Sequence, residues 1–387
     1  MGLWKGKREG CGVHGIILDT APFLTRGNIL RSRNGLQTTL SNREIRRLTA
    51  QASRFKDPDE SRKAALKAWR TIREKKRRAL AKGAKSLLEF KDETLFLPPG
   101  VASGKFRITA PLIKNSKLTK VSKGGVGKEL SDGWALNFAI GCTFGCRFCY
   151  VDEIHKKWGS RRAGNIVYND WGFYLSLPDN LAEAIEETKW SRWKGEEVML
   201  SSTHDPYLPQ LHKWTRKILE RALSEGVRFC IQTRSPLVEQ DFNLLRQYRR
   251  QVRLQVSIAT YDLAFCRMIE PRVVPPRRRM EILLKARDWD LTTGIIIAPI
   301  FPPLAARRDV VRDVDAIVAD LEEATPNHIY GESLHLRGIN QAYVEQAVAE
   351  PLRLNGFDKE AQTLFNLVLR KHGLKGTWWP EYESRQQ

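Results

Sequence analysis

From about residue 134 onward, short apolar runs alternate with amphipathic helical patterns, and this alternation constrains the fold more than any other feature of the sequence. Strand–helix alternation of this kind is typical of parallel strands joined by right-handed crossovers. The pattern predicts an α/β fold, a partial (β/α)6 barrel of the TIM type. The six predicted strands are ALNFAIG, EVMLSST, VRFCIQT, VRLQVSIAT, TTGIIIAPI and NHIYGESLHL.

The segments on either side of this region differ from it in composition. The helix formers Lys, Arg, Ala, Leu and Glu dominate residues 43–85, which predicts a mainly helical start of the chain. Residues 340–387 are expected to form C-terminal helices and a tail. The predicted parts are a basic N-terminal extension over 1–100, an approach loop over 101–133, the barrel over 134–337, and the C-terminal part over 338–387.

Basic residues exceed acidic ones by a wide margin, with 65 Lys and Arg against 44 Asp and Glu and a net charge of +21. Between Arg43 and Lys85 the counts are 16 and 5, so about half of the surplus lies in this short segment. A surplus of this kind favours polyanionic partners, chiefly nucleic acid. Arg43–Lys85 is therefore a candidate contact for DNA or RNA, although a solvated helical face packed on the main domain explains it equally well.

Three of the six cysteines lie within the segment GCTFGCRFCY, residues 141–150. Cys142, Cys146 and Cys149 are spaced C-x3-C-x2-C. A structural zinc site is closed by four protein ligands, and His155 is the available fourth. A four-iron cluster held by only three thiolates leaves one iron open to an external ligand, which is what radical chemistry with S-adenosylmethionine (SAM) uses. We therefore favour an iron–sulfur cluster over zinc.

The other sequence features indicate a cytoplasmic protein. Cys230 and Cys266 lie in stretches where core packing explains them, so the cysteines do not form a disulfide framework and a reducing setting is expected. No apolar run approaches the length of a membrane span, and the N-terminus lacks the apolar region of a secretory signal. We expect no membrane association.

The C-x3-C-x2-C spacing followed by an aromatic residue, here Tyr150, resembles the signature of the radical SAM superfamily. Further segments resemble the spore photoproduct lyase-like members of that superfamily over about residues 130–335. They are ALNFAIGCTFGCRFCYV at the cluster loop and STHDPYLPQLHKWTRKILE, VRFCIQTRSPLVEQDFNLL, VSIATYDLAFCRMIEP and GIIIAPIFP at the four following strand ends.

This resemblance implies two cofactors, a [4Fe-4S] cluster and SAM, together with an electron donor such as a flavodoxin or a ferredoxin. Arg234 stands where the family often has a lysine that contacts the SAM carboxylate, and an arginine can make that contact bidentately. Glu270 and Ala298 lie near the same rim without an assigned role. The implied cluster ligands are Cys142, Cys146 and Cys149, and the implied SAM contacts are Tyr150, His204, Asp205, Arg234 and Ser257.

Taken singly, the SAM contacts also have ordinary structural explanations. Asp205 with Pro206 can form a turn, Arg234 can form a surface ion pair, and Ser257 can satisfy backbone groups at a strand end. One departure from the family concerns Ser202, because spore photoproduct lyase has a hydrogen-donating cysteine at the matching position. A serine O–H bond is too strong for that role, so reversal of a thymine dimer by that mechanism is not expected and no catalytic residue is assigned.

Two stretches combine tryptophans with basic residues, KKWGSRR at 156–162 and KWSRWK at 189–194. Such stretches can stack bases while neutralising phosphates, which favours a nucleic acid or a nucleic-acid-bound target as substrate. Tryptophans half buried against helices are an equally common arrangement. Two alternatives stay open: radical chemistry on a protein, peptide or small molecule, and a non-catalytic metal-bearing protein that binds nucleic acid.

Overall fold

The structure, a computed structural model, describes residues 97–115, 131–307, 309–336 and 338–379. These residues belong to one unit of the chain, Thr94–Gln387. The basic helices predicted for residues 43–85 lie outside the described residues. None of the described helices combines the length and the apolar character needed to cross a bilayer.

Within the described residues the chain forms eleven strands and ten α-helices. The strands are β1 Ala102–Phe106, β2 Ile113–Asn115, β3 Trp134–Leu136, β4 Ile140–Gly141, β5 Tyr174–Pro178, β6 Glu197–Leu200, β7 Arg228–Thr233, β8 Val252–Ser257, β9 Thr292–Ile300, β10 His328–Ser333 and β11 Thr377–Trp379. The helices are α1 Val151–Ile154, α2 Ser160–Ala163, α3 Leu181–Glu187, α4 His212–Ser224, α5 Phe242–Gln247, α6 Leu263–Ile269, α7 Pro276–Asp288, α8 Val310–Ala324, α9 Asn340–Val348 and α10 Phe357–Lys371. The segment His155–Gly159 is π-helical, and short 3-10 helices cover Gly164–Tyr168, Trp190–Trp193 and Pro236–Asp241.

The larger of two sheets has eight strands in the order β11-β10-β9-β8-β7-β6-β3-β2. Strands β3 and β6 to β11 run parallel to one another, and only β2, at one edge, is antiparallel to its neighbour β3. Helices α4, α5, α7 and α8 lie between successive strands from β6 to β10. All six predicted strand segments contain a strand of this sheet in the predicted order, so the α/β class is confirmed. Closure into a partial barrel stays a prediction.

The first predicted strand, ALNFAIG, is wrong as a single strand. It divides into β3, which joins the main sheet, and β4, which joins a smaller sheet of order β1-β5-β4. The backbone leaves the main sheet after Leu136 and enters the smaller sheet at Ile140. At Gly141, the end of β4, φ is +102° and an added Cβ would overlap the Tyr174 carbonyl oxygen of β5. The segment 101–133, predicted to be a loop, also contains β1 and β2 in its described part. Short strands with few apolar residues leave little periodicity for a sequence to reveal.

The core lies between the main sheet and its helices. In α4 the buried positions include Thr215, Ile218, Leu219 and Ala222, a spacing that places them on one face of the helix. Cys230 is fully buried in β7, and Cys266 is buried in α6. Both therefore occupy the packed positions expected of them.

The C-terminal helices predicted after residue 338 are present as α9 and α10. Strand β11 adds Trp378 and Trp379 to the edge of the main sheet beside β10. Gly331 in β10 lies directly under the rings of Phe365 and Trp378, because a Cβ there would come within 2.8 Å of both. The C-terminal part of the described chain is thus packed on the sheet through a glycine.

Replacing Gly141 tests the close approach of β4 to Tyr174 of β5. We expect Gly141→Ala to lower the free energy of unfolding by about 3 kcal/mol, of which about 1 kcal/mol is backbone strain and the rest is overlap with Tyr174. Gly195→Ala is the matched control, since Gly195 also has a positive φ, +82°, but no atom lies within 4 Å of its added Cβ. Urea unfolding of the two variants checks this, and equal losses would contradict the proposed overlap.

Candidate active site

The three clustered cysteines lie on one loop, residues 142–149, which we call the cysteine loop. It follows β4 directly, and its turns are closed by hydrogen bonds from the Gly145 N–H to the Cys142 carbonyl at 3.3 Å and from the Cys149 N–H to the Cys146 carbonyl at 3.1 Å. Cys142 and Cys146 are buried, and Cys149 is half-buried. The structure therefore places the three thiols on a folded loop at the edge of the small sheet.

Segments distant in sequence hold this loop in position. The Arg272 guanidinium donates to the Thr143 carbonyl at 3.2 Å and also to the Gly172 carbonyl. The Arg147 N–H donates to the Ile269 carbonyl at 2.8 Å. Gly145 and Gly172 approach so closely that a Cβ on Gly172 would lie 2.8 Å from the Gly145 Cα. The loop is thus fixed by backbone contacts and by a half-buried cation rather than by its own thiols.

His155, considered above as a fourth zinc ligand, has a different role. Its ring is buried, and Nδ1 accepts a hydrogen bond from the Gly141 N–H at 3.1 Å. Burial lowers the pKa of His155 to about 3, so the ring is neutral and can act as this acceptor. His155 supports the start of the cysteine loop.

The three thiols fit a site that binds a positively charged cofactor. Burial raises the pKa of Cys142 to about 11 and that of Cys149 to about 12, and it raises the pKa of Cys146 well above its ordinary value. The guanidinium of Arg234 opposes this shift at all three cysteines. Bound iron would hold buried thiols as thiolates, which are the ligands of iron–sulfur clusters.

Among the described residues, no three His, Cys, Asp or Glu side chains lie close enough together to bind a single metal ion. A four-iron cluster does not require that arrangement, because each thiolate binds a different iron. The donor set of the cysteine loop therefore fits a cluster.

Arg234 lies beside the cysteine loop, immediately after β7. Its Nε donates to Glu270 Oε1 at 3.0 Å, and its guanidinium carbon lies 5.6 Å from the centre of the Phe148 ring. About 24% of its side chain is exposed. Glu270 therefore binds Arg234 through Nε, and the two terminal nitrogens of the guanidinium do not contact that carboxylate.

Glu270 is itself enclosed. Its carboxylate binds Arg279 of α7, and both side chains have no exposed surface. Arg279 also donates to the Ser257 carbonyl at 2.8 Å, so this network joins the end of β7 to the end of β8. The Cys266 thiol lies 3.4 Å from Glu270 Oε2. Glu270, which the sequence placed at the rim without a role, is thus the buried anion between two arginines.

Asp205 has a role that the sequence did not reveal. Its Oδ1 accepts from the Thr233 hydroxyl at 2.7 Å and from the Tyr207 N–H at 2.9 Å, and its Oδ2 accepts from the Arg234 N–H at 2.7 Å. The carboxylate is buried and ties the loop after β6 to the end of β7. It therefore fixes the backbone of Arg234, and a direct contact with SAM stays a prediction.

Two of the other predicted SAM contacts, His204 and Ser257, lie at the carboxyl ends of the strands that flank β7. His204 is buried with its ring edge-on to Phe138, at a centroid distance of 4.8 Å, and burial lowers its pKa to about 3. Ser257 is the last residue of β8 and is buried. Tyr150 occupies the N-cap position of α1 directly after Cys149, and its side chain is half-buried against the main core. The main sheet accordingly brings His204 and Ser257 to the same end as Arg234, whereas Tyr150 belongs to the segment that follows the cysteine loop.

Only one of the two basic–aromatic stretches presents an aromatic ring to solvent. In 156–162, Trp158 is 57% exposed, and Lys157 Nζ lies 5.5 Å from the centre of its ring. Arg161 and Arg162 on α2 are exposed as well, and Tyr168 follows with 62% of its surface exposed. This stretch has the combination of rings and cations that the prediction required.

The prediction that tryptophans of 189–194 stack on bases is wrong. Trp190 is 2% exposed and its Nε1 donates to the Ile185 carbonyl at 2.9 Å. Trp193 is 7% exposed and packs edge-on against Trp134 at 6.1 Å. Both rings lie in the core, because burying a large apolar ring stabilises the fold more than exposing it to water.

Comparison with known proteins agrees with the geometry of the cysteine loop. Residues 136–328 match the family model described as the radical SAM superfamily. The chain belongs to the radical SAM superfamily. It is 52% identical over 282 residues to an uncharacterized protein of Acidianus two-tailed virus, covering 73% of this chain and 94% of that protein. It is 25% identical over 246 residues to an uncharacterized protein of Methanocaldococcus jannaschii, covering 62% and 86% respectively.

Solved structures of spore photoproduct lyase are also similar to this chain. A variant of that enzyme has a TM-score of 0.48 and 13% identity, over 64% of this chain and 76% of the other. The enzyme in complex with a dinucleoside spore photoproduct has a TM-score of 0.47 and 14% identity, over 64% and 75%. Spore photoproduct lyases are therefore among the solved proteins that this radical SAM chain resembles.

Sequence reasoning missed Arg279, which lies in the basic run at the start of α7. Such a run is usually solvated, yet Arg279 is fully buried. The helical spacing of Arg279 with Met280, Leu283 and Ala286, all buried, is the signal that could have identified it. A cation on the apolar face of a helix predicts a buried anion nearby, which here is Glu270.

Removing the anion of this network tests its contribution. At neutral pH, Glu270→Gln leaves Arg279 without its buried partner, and we expect the free energy of unfolding to fall by about 3–5 kcal/mol. Glu225→Gln, at an exposed position after α4, is the control and should change it little. Denaturant unfolding of both variants measures the difference, and equal stability of Glu270→Gln and wild type would contradict this role.

The pH dependence of the same pair provides a second measurement. Burial alone raises the pKa of Glu270, but the charges of Arg279 and Arg234 outweigh it and hold the pKa below its ordinary value of 4.5. A carboxyl whose pKa is lower in the folded state stabilises the fold above its unfolded pKa, and that contribution is lost as the pH falls through the folded pKa. The stability difference between wild type and Glu270→Gln should therefore be complete above pH 4.5 and shrink below it.

Proposed function

We propose that this chain is a radical SAM enzyme whose cysteine loop binds a [4Fe-4S] cluster through Cys142, Cys146 and Cys149. The observation that carries this proposal is the arrangement of three thiols on one fixed loop beside a guanidinium whose charge acts on all three. Such a cluster, when bound with SAM at its open iron, supplies the electron that cleaves SAM to the 5′-deoxyadenosyl radical that abstracts hydrogen from substrate.

The residues of the chain bind and orient the cofactor in this proposal. The terminal nitrogens of Arg234, held in direction by Glu270, would receive the SAM carboxylate as a bidentate pair. The Ser257 hydroxyl, at the end of β8, would donate to SAM from the adjacent strand. His204, Asp205 and Tyr150 complete the predicted contacts, and the parallel strands would form the partial six-stranded barrel around them.

The hydrogen donor of spore photoproduct lyase has no counterpart in this proposal. Ser202, at the matching position, accepts a hydrogen bond from the Asn137 side chain at 2.8 Å and carries no thiol. Buried Cys230 and Cys266 pack within the core. The reaction we propose is therefore a radical modification other than the thymine-dimer reversal that uses that cysteine.

We propose nucleic acid, or a target bound to it, as the substrate class. Trp158 and Tyr168 offer exposed rings, and Lys157, Arg161 and Arg162 add cations along the same helical segment, close in sequence to the cysteine loop. Exposed rings stack on bases, while the cations neutralise phosphates. The segment Arg43–Lys85 would add charge to the same partner, and a flavodoxin or ferredoxin would supply electrons.

Formation of 5′-deoxyadenosine tests the chemistry first. Protein purified without oxygen, reconstituted with iron and sulfide, reduced and given SAM should form it, because the cysteine loop binds the cluster. Cys146→Ala should reduce the yield to background, whereas Cys230→Ala, which changes a thiol in the core, should retain it. A fully loaded, reduced wild type that never cleaves SAM, even with candidate substrates, would favour the non-catalytic alternative.

The substrate class has its own test in binding to DNA and RNA across a range of salt concentrations. Arg161→Ala with Arg162→Ala should weaken binding and reduce the slope of log affinity against log salt by about 2, or one unit per lost phosphate contact. Trp158→Ala should weaken binding about tenfold through lost stacking. Arg353→Ala with Lys359→Ala removes the same charge from exposed C-terminal positions and is the control. Equal effects of the two double variants would favour a protein, peptide or small-molecule substrate.

A further inference from the structure

A buried asparagine of the C-terminal part binds the cysteine loop directly. Asn340, the first residue of α9, is 1% exposed, and its Nδ2 donates to the Phe148 carbonyl at 2.9 Å and to the His335 carbonyl at 3.1 Å. Phe148 lies between Cys146 and Cys149. One amide group therefore fixes the peptide that separates the last two cysteines and ties it to the segment that follows β10.

A second side chain of α9 acts on the other side of Cys149. Tyr343 lies three residues after Asn340, on the same face of the helix. Its hydroxyl donates to Asp152 Oδ2 at 3.2 Å. Asp152 is 1% exposed and also accepts from the Tyr174 hydroxyl at 2.9 Å and from Lys156 at 2.8 Å. Cys149 is thus held between two contacts from a single helix.

This helix lies beyond the segment that matches the family model, which ends at residue 328. The contacts cross about half of the chain, since 192 positions separate Phe148 from Asn340. The chemistry of the contact is specific, because an asparagine amide offers two N–H donors to two carbonyls, whereas an ionised aspartate of the same shape offers none. Glutamine at the next position, Gln341, is exposed and contacts Glu345 of its own helix.

We propose that Asn340 and Tyr343 are positioning residues of the cysteine loop, which hold Cys146 and Cys149 in the arrangement that retains an iron–sulfur cluster. This inference rests on the proposed function, because it requires that the loop bind iron. Hydrogen bonds to groups beside metal ligands contribute strongly to metal retention, and their loss lowers metal affinity by roughly 10–100-fold.

The test compares full-length wild type with Asn340→Ala, Asn340→Asp, Tyr343→Phe and Gln341→Ala, each reconstituted with iron and sulfide without oxygen. The rate of iron release to a ferrous chelator and the electron paramagnetic resonance spectrum of the reduced cluster are measured. Asn340→Ala should release iron roughly tenfold faster than wild type. Asn340→Asp should release it faster still, Tyr343→Phe should fall between, and Gln341→Ala should match wild type. The spectrum should change in the Asn340 variants.

Thermal unfolding of each protein without iron separates positioning from folding. If Asn340→Ala unfolds before the assay, Tyr343→Phe provides the answer, because it removes one hydroxyl and keeps the ring. A variant of native stability with faster iron release supports the inference. Iron release and spectra equal to those of Gln341→Ala would overturn it while the proposed function stands. A wild type that retains no iron would overturn both.

Discussion

Glu270 is the buried charge on which the carboxyl end of the main sheet depends. It accepts from Arg279 of α7 and from Arg234 after β7, and Arg279 extends the network to the Ser257 carbonyl of β8. Removing these charges from water is costly, and only their mutual pairing offsets that cost. The network has a second consequence, since it directs the one partly exposed member, Arg234, toward the cysteine loop. Stability of the sheet and the orientation of a binding group therefore share one carboxylate.

The cysteine loop is held from outside by its neighbours. Arg272 donates to the Thr143 carbonyl within the loop, His155 accepts from the backbone before it, and Asn340 donates to the peptide between its last two cysteines. Buried thiols with raised pKa values would not hold each other in place, because as neutral groups they attract one another little. A loop fixed in this way is preorganised, and preorganisation by a surrounding shell is what precise metal sites need.

The two basic–aromatic stretches show how burial decides the role of a tryptophan. The stretches have similar compositions, yet Trp158 is exposed and Trp190 and Trp193 are in the core. The first lies on a helical segment after the cysteine loop, and the second lies in a short 3-10 helix that connects α3 to β6 along the chain. Of the two stretches, only the first exposes both an aromatic ring and cations, which are the features that a nucleic-acid contact requires.

The sequence by itself determined the parts of this protein that depend on local pattern. Alternation of apolar runs and helical spacing located six strand segments and their parallel order, and the spacing of Cys142, Cys146 and Cys149 identified the cysteine loop. These features are readable because strand and helix periodicities report burial along a few neighbouring residues. The burial of Cys230 followed from the same kind of pattern.

Only the tertiary structure decided which polar groups pair. Asp205 is used by Thr233 and Arg234, Arg279 is buried against Glu270, and Asn340 reaches the cysteine loop. The need for glycine at position 141 also depends on a neighbour, Tyr174, which lies in another strand. The physical reason is the same in each case. A buried polar group takes its partner from whichever segment the fold brings within hydrogen-bonding distance, and that segment can lie anywhere along the chain.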